Sequence, residues 1–161
     1  MNLRGLHLLL SYRCILEYDH CFVWGSPKQT GTMTSDQVQE ILRQGREIGT
    51  LEWVYFEGGE PFLYYPLLVV GVGLAQSFGF RVGLVSNGYW ATVVKDATEW
   101  LRPFVGVVED LSISCDPYHA DEKMRNLAEN ALSAADRLGI PAGLVAIAQP
   151  DEMNSGQLPA Q

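Results

Sequence analysis

The sequence has few basic residues and no long apolar run. Its 161 residues contain 11 Lys and Arg against 19 Asp and Glu, which gives a net charge of −8. Nucleic-acid binding relies on clustered basic side chains, and those in this chain are scattered, so we expect no nucleic-acid partner. The longest apolar stretch, residues 67–75, is far shorter than the roughly 20 residues of a membrane span. The first residues also lack the pattern of a signal peptide. We therefore expect a cytoplasmic protein with no membrane partner.

Cysteine is also scarce. Cys14, Cys21 and Cys115 are an odd number without a disulfide-framework spacing, so metal binding or plain burial is favoured over cross-linking. There is no internal repeat or low-complexity segment, and 47% hydrophobic residues are enough to fill one core. We expect one domain over residues 1–150 and a disordered polar tail over residues 151–161.

Strand-like runs alternate with helix-like patterns along the chain. The predicted strands are residues 5–12, 51–57, 81–86, 107–114 and 140–148, and the predicted helices are residues 34–48, 66–77, 92–101 and 121–138. The first strand is expected to be buried on most sides, because five of its eight residues are apolar. The second helix is predicted from the alternation, since its valines and glycines by themselves favour a strand.

Short connections between alternating strands and helices predict parallel βαβ units of α/β class, wound either as a doubly wound sheet or as a β/α barrel. Both architectures place functional residues at the carboxyl ends of the strands. Every unusual cluster in the sequence lies at such an end: residues 11–21, 57–61, 86–88, 114–119 and 148–152. This coincidence predicts a single site.

The segment from Cys14 to Cys21 follows the first strand, so its thiols are expected on the functional edge. Two buried or free thiols are one interpretation. A zinc site using Cys14, His20 and Cys21 with His119 or Cys115 is another, but the paired short spacings of structural zinc sites are absent. The spacing also fits the outer members of a Cys-x3-Cys-x2-Cys motif.

Four segments in order carry a family resemblance: residues 11–22, 57–61 (Glu-Gly-Gly-Glu-Pro), 86–88 (Ser-Asn-Gly) and 112–116 (Ser-Ile-Ser-Cys-Asp). In this order, each after its strand, they resemble the radical S-adenosylmethionine (SAM) superfamily. The resemblance implies a parallel partial β/α barrel. It also implies a [4Fe-4S] cluster held by three thiolates, whose fourth iron binds SAM, so that an electron from the cluster cleaves SAM to a 5′-deoxyadenosyl radical.

Carried over by position, the resemblance makes Cys14 and Cys21 the first and third cluster ligands. Tyr18 stands at the position of the second. Iron of such clusters prefers thiolate, and a phenol is harder and less acidic than a thiol. We expect two protein thiolates to hold the cluster poorly.

The resemblance also implies contacts to SAM. Glycines after the second strand would let backbone approach the cofactor, and Glu60 would offer a carboxylate to its amino group. The remaining candidate residues are expected to contact the carboxylate, the ribose or the adenine of SAM. The predicted cofactor-binding residues are His20, Gly58, Gly59, Glu60, Ser86, Asn87, Ser114 and Asp116. Asn-Gly and Gly-Gly-Glu-Pro are also ordinary turn chemistry.

The family core has six βα units, and this chain supplies about five. A fifth strand without its covering helix would expose an apolar edge over residues 143–148, so we expect a protein partner or self-association there, or a truncated chain. Three functions follow: a radical SAM enzyme impaired by Tyr18, a non-catalytic relative that binds SAM or a partner, and an inactive truncated copy. The substrate is not predicted.

Overall fold

The computed structural model describes residues 2–19, 21–115 and 122–146. The strands are β1 (Gly5–Leu9), β2 (Trp53–Glu57), β3 (Arg81–Ser86), β4 (Val108–Ser114) and β5 (Ala142–Val145). The helices are α1 (Ser35–Ile48), α2 (Tyr65–Ser77), α3 (Val94–Leu101) and α4 (Glu122–Leu138), with 3-10 turns at Pro61–Tyr64 and Arg102–Phe104. None of the helices in these ranges is long and apolar enough to cross a membrane.

The strand order distinguishes the two windings that the sequence left open. The five strands form one sheet in the order β1-β2-β3-β4-β5, and every neighbouring pair is parallel. In a doubly wound sheet the order of the strands reverses at a switch point, whereas in a barrel each new strand is added beside the previous one. The α/β class with parallel, barrel-type strands is therefore confirmed.

The first two helices form for different reasons. Thr34 caps α1 through a capping box with Gln37, and Gly49 ends it in a left-handed conformation (φ 76°). The valine-rich α2 is confirmed as a helix despite weak local propensity, because Leu68, Val72 and Ala75 are buried in the core. Tertiary packing outweighs the intrinsic preference of its valines.

Strand β1 is shorter and more open than expected. It ends at Leu9, and the prediction that it is buried on most sides is wrong: Leu8 alone is buried within it. Beyond it, the Leu10 N–H still donates to the Glu57 carbonyl (2.9 Å), while the Leu10 carbonyl accepts from Met33. From here the chain leaves the sheet and enters the connection between β1 and α1, residues 10–34, which carries Cys14 and Cys21 and is called the cysteine loop below.

The two faces of the sheet differ. One face carries the apolar residues of the core, which pack against the helices. The opposite face carries polar and aromatic side chains: the exposed His7 and the half-buried Tyr55, Asp110 and Ser112. At the far side, β5 is exposed along its whole length, with Leu144 57% and Val145 44% exposed. The expected apolar edge is thus present through residue 146; the predictions for residues 147–161 lie outside the described residues.

Candidate functional site

A cavity of about 150 Å³ opens at the carboxyl ends of the first four strands. It brings together side chains that are up to 100 positions apart in the sequence, because parallel strands end at the same edge. Its walls come from the cysteine loop and from the ends of β2, β3 and β4: Cys14, Leu16, Tyr18, Cys21, Phe22, Val23, Glu57, Gly58, Gly59, Val85, Ser86, Asn87 and Ser114.

Cys14 lies at the buried wall of this cavity. Its residue is 9% exposed, and its sulfur accepts from the Leu16 amide (3.4 Å) and the Asn87 side-chain amide (3.5 Å). Burial raises the pKa of the Cys14 thiol, and the nearby Glu60 carboxylate also raises it, while the two donors lower it. A bound cation would reverse this balance by stabilising the thiolate.

Cys21 and Tyr18 complete the loop side of the cavity. The Cys21 sulfur accepts from the Gly25 amide (3.3 Å), and the Cys21 amide donates to the Tyr18 carbonyl (3.1 Å). Tyr18 lines the same cavity as Cys14 and Cys21, and it stands at the sequence position where the resemblance expects the second cluster ligand.

The Gly58-Gly59 turn packs closely against the backbone of the cysteine loop. Gly58 has a positive φ of 137°, and the Gly59 amide donates to the Ser11 carbonyl (2.7 Å). A Cβ on Gly59 would collide with the carbonyl of Arg13. The glycines are thus required first by the close approach of the protein's own loop, although both also line the cavity.

Glu60 does not line the cavity. It is completely buried and accepts from the Phe62 amide (3.0 Å), the Ser86 hydroxyl (2.9 Å) and the Asn87 amide (2.8 Å). Burial raises the pKa of Glu60 to about 7, and the three donors oppose that shift. Glu60 therefore connects the turn after β2 to the end of β3 through hydrogen bonds.

The remaining predicted residues have mixed placements. Ser86 is engaged by Glu60, by Trp90 Nε1 (2.9 Å) and by the Gly88 amide (3.1 Å). Asn87 is both a turn residue and a cavity residue, because its Oδ1 accepts from the Tyr89 amide (3.0 Å). Ser114 lines the cavity, and Cys115 does not. His20, Asp116 and His119 lie outside the described residues.

Glu57 lines the cavity, although the motif that contains it predicted no role for its side chain. It is 9% exposed, and its Oε1 lies 2.9 Å from His7 Nδ1. His7 in turn stacks on Tyr55, with ring centroids 5.0 Å apart, and the Tyr55 hydroxyl donates to Asp110 (3.0 Å). The alternation of side chains along β2 was the signal, since it places Glu57 on the same face as Tyr55.

The donor set can be tested against a metal or cluster. Within residues 2–19, 21–115 and 122–146, no group of three His, Cys, Asp or Glu side chains could hold a metal ion. Two thiols and one phenol line the cavity instead. Against the three thiolates that the resemblance implies for a [4Fe-4S] cluster, the cavity offers two cysteines, and a weaker donor stands at the third position.

Curated proteins from bacteria and an archaeon are similar to the chain in sequence. No protein-family model matches the chain. A curated relative from Bacillus subtilis, YydG, assigned to peptide biosynthesis, is 29% identical over 79% of this chain and 41% of its own length. The PqqA peptide cyclase of Streptomyces rochei is 36% identical over 55% of this chain and 24% of its own length. An S-adenosylmethionine-dependent nucleotide dehydratase from a Thermoplasmatales archaeon is 33% identical over 70% of this chain and 36% of its own length.

Solved structures share the fold. BtrN in complex with AdoMet and 2-DOIA superposes with a TM-score of 0.61 at 15% identity, over 89% of this chain and 56% of that one. SuiB of Streptococcus suis bound to its precursor peptide SuiA superposes with a TM-score of 0.58 at 14% identity, over 92% of this chain and 40% of that one. In sequence and in fold the chain is thus similar to radical SAM-type proteins. It spans about two fifths or less of the length of these curated relatives.

Proposed function

We propose that this radical SAM domain binds SAM at the strand-end cavity for 5′-deoxyadenosyl radical chemistry, with Cys14 and Cys21 as ligands of a [4Fe-4S] cluster that Tyr18 weakens. The observation that carries the proposal is the convergence of both thiols, the Gly58-Gly59 turn and Asn87 on one cavity. When bound together, the cluster and SAM supply a radical that abstracts hydrogen from a substrate.

Residues of this chain have distinct proposed roles. Cys14 and Cys21 hold iron, and the Asn87 side chain orients the Cys14 sulfur. The Gly58-Gly59 backbone, Asn87 and Ser114 contact SAM from the strand ends, and His20 and Asp116 stay predicted contacts. Glu60 acts from the interior, where it accepts hydrogen bonds from Phe62, Ser86 and Asn87, of which Ser86 and Asn87 line the cavity.

Calorimetry with SAM on the metal-free protein tests the binding part of the proposal. We expect measurable SAM binding, because the cavity wall is assembled by hydrogen bonds that do not involve iron. Absence of SAM binding both before and after anaerobic reconstitution with iron and sulfide would contradict it. SAM binding without any release of 5′-deoxyadenosine would instead favour the non-catalytic alternative, which the phenol at position 18 makes reasonable.

Gly59→Ala should weaken SAM binding by at least about tenfold and lower the free energy of unfolding by about 1–3 kcal/mol. The added Cβ meets the Arg13 carbonyl, so the cysteine loop must move away from the turn. The matched control is Gly73→Ala in α2, whose Cβ meets nothing within 4 Å. Equal SAM affinity in both variants would show that the contact between turn and loop is not needed.

A peptide is the substrate class that we propose for the complete protein. Two curated relatives are named for peptide biosynthesis and peptide cyclisation, and one structural neighbour contains a precursor peptide. Anaerobic incubation of the complete protein with a peptide library should give peptide products with a changed mass. Consumption of SAM that no peptide stimulates would contradict this substrate class.

A further inference from the structure

The peptide unit between Trp24 and Gly25 is bonded at both ends. Its N–H, which belongs to Gly25, donates to the Cys21 sulfur (3.3 Å). Its carbonyl, which belongs to Trp24, accepts from the Gln29 side-chain amide (3.2 Å). A peptide unit is planar, so fixing the carbonyl also fixes the direction of the N–H.

Trp24 has an unusual backbone for its type. Its φ is 55°, and no other non-glycine residue in the described part of the chain has a positive φ. Bulky side chains rarely adopt this conformation. The Trp24 side chain is 78% exposed, so packing of the indole in the core does not account for the strain. The Trp24 amide also donates to the Cys21 carbonyl (3.0 Å), which closes a tight turn around Cys21.

Gly25 is buried where the cysteine loop meets the glycine turn, near Cys14 and Gly59. A Cβ on it would lie 3.2 Å from the Gly59 Cα and 3.3 Å from the Cys14 Cβ. Both distances are tighter than ordinary Cβ contacts, so a side chain at position 25 would require its neighbours to shift by a few tenths of an ångström. The same residue thus touches the first cysteine and the glycine turn while its amide reaches the other cysteine.

We infer that Trp24 and Gly25 are positioning residues of the cluster site: the left-handed conformation of Trp24 aims the Gly25 amide at the Cys21 sulfur. Hydrogen bonds to sulfur tune and orient metal-bound thiolates. This role rests on the proposed function for its purpose, but the geometry itself is testable without iron or SAM.

Amide hydrogen exchange of Gly25, followed by NMR on the metal-free protein, tests the geometry. In Cys21→Ala the Gly25 amide should exchange at least about tenfold faster than in the parent, because its acceptor is gone. Trp24→Val should have the same effect, since a β-branched residue disfavours the left-handed region, whereas Trp24→Asn tolerates it and should keep the parent rate. Cys14→Ala is the control with unchanged exchange. Equal Gly25 exchange in the parent and in Cys21→Ala would overturn the inference.

A second measurement addresses the role at the cluster. In a Tyr18→Cys background, iron retained after reconstitution should fall by about half or more with Trp24→Val and stay unchanged with Trp24→Asn. If the Trp24→Val and Trp24→Asn variants retain equal amounts of iron, the positioning role is wrong. Failure of the Tyr18→Cys parent to load iron would instead count against the proposed function, and the exchange measurement would still decide the geometry.

Discussion

Tyr18→Cys should convert the chain from a poor to a stable holder of an iron-sulfur cluster, with about four irons per chain after anaerobic reconstitution and a brown absorbance that the parent lacks. Tyr18 lines the same cavity as Cys14 and Cys21. A thiol at that position completes the set of three soft donors, while the phenol is harder and less acidic.

The matched control is Tyr12→Cys, which also adds one thiol within the cysteine loop. Tyr12 is 48% exposed and is not part of the cavity wall, so the extra thiol should not raise the iron content. Iron and sulfide should be measured in the same preparations as the absorbance. If the parent and Tyr18→Cys retain equal amounts of both, Tyr18 is no handicap and the proposed weakening of the cluster is wrong.

Glu60→Gln should change how stability depends on pH. Burial raises the pKa of Glu60 from an ordinary 4.5 to about 7. The folded protein therefore holds the Glu60 proton more tightly than the unfolded chain does. The stability that this proton contributes is fully present below about pH 4.5 and is lost as the pH rises to about 7. The loss is on the order of 3 kcal/mol.

The measurement is denaturant unfolding of the parent and of Glu60→Gln between pH 4.5 and pH 8. Glutamine does not titrate, so the parent should lose stability relative to the variant across this window. A constant offset is also expected, because the glutamine NH₂ would face the Asn87 amide and leave that donor without its acceptor. Glu109→Gln, at an exposed position, is the control. A difference between parent and Glu60→Gln that does not vary with pH would contradict the raised pKa.

The sequence predicted the elements well where local signals agreed. Thr34 and Gly49 mark both ends of α1, and that helix begins and ends as expected. The prediction was less accurate for β1, whose apolar residues continue beyond Leu9 although the strand does not. Hydrogen bonds from distant partners, Met33 among them, decide where that strand ends, and no local pattern encodes such partners.

The sequence by itself indicated the family resemblance, the alternating βα order and the strand-end residues Gly58, Gly59, Ser86, Asn87 and Ser114 of the cavity, because spacing and periodicity are local properties of a chain. Only the tertiary structure decided the rest. It placed Glu60 in the interior and not at the cavity, it added Glu57 to the cavity wall, and it gave Trp24 a backbone conformation with no sequence signal. The physical reason is the same in each case: burial and hydrogen-bond partners depend on which segments meet, and the segments that meet here are separated by up to 100 positions.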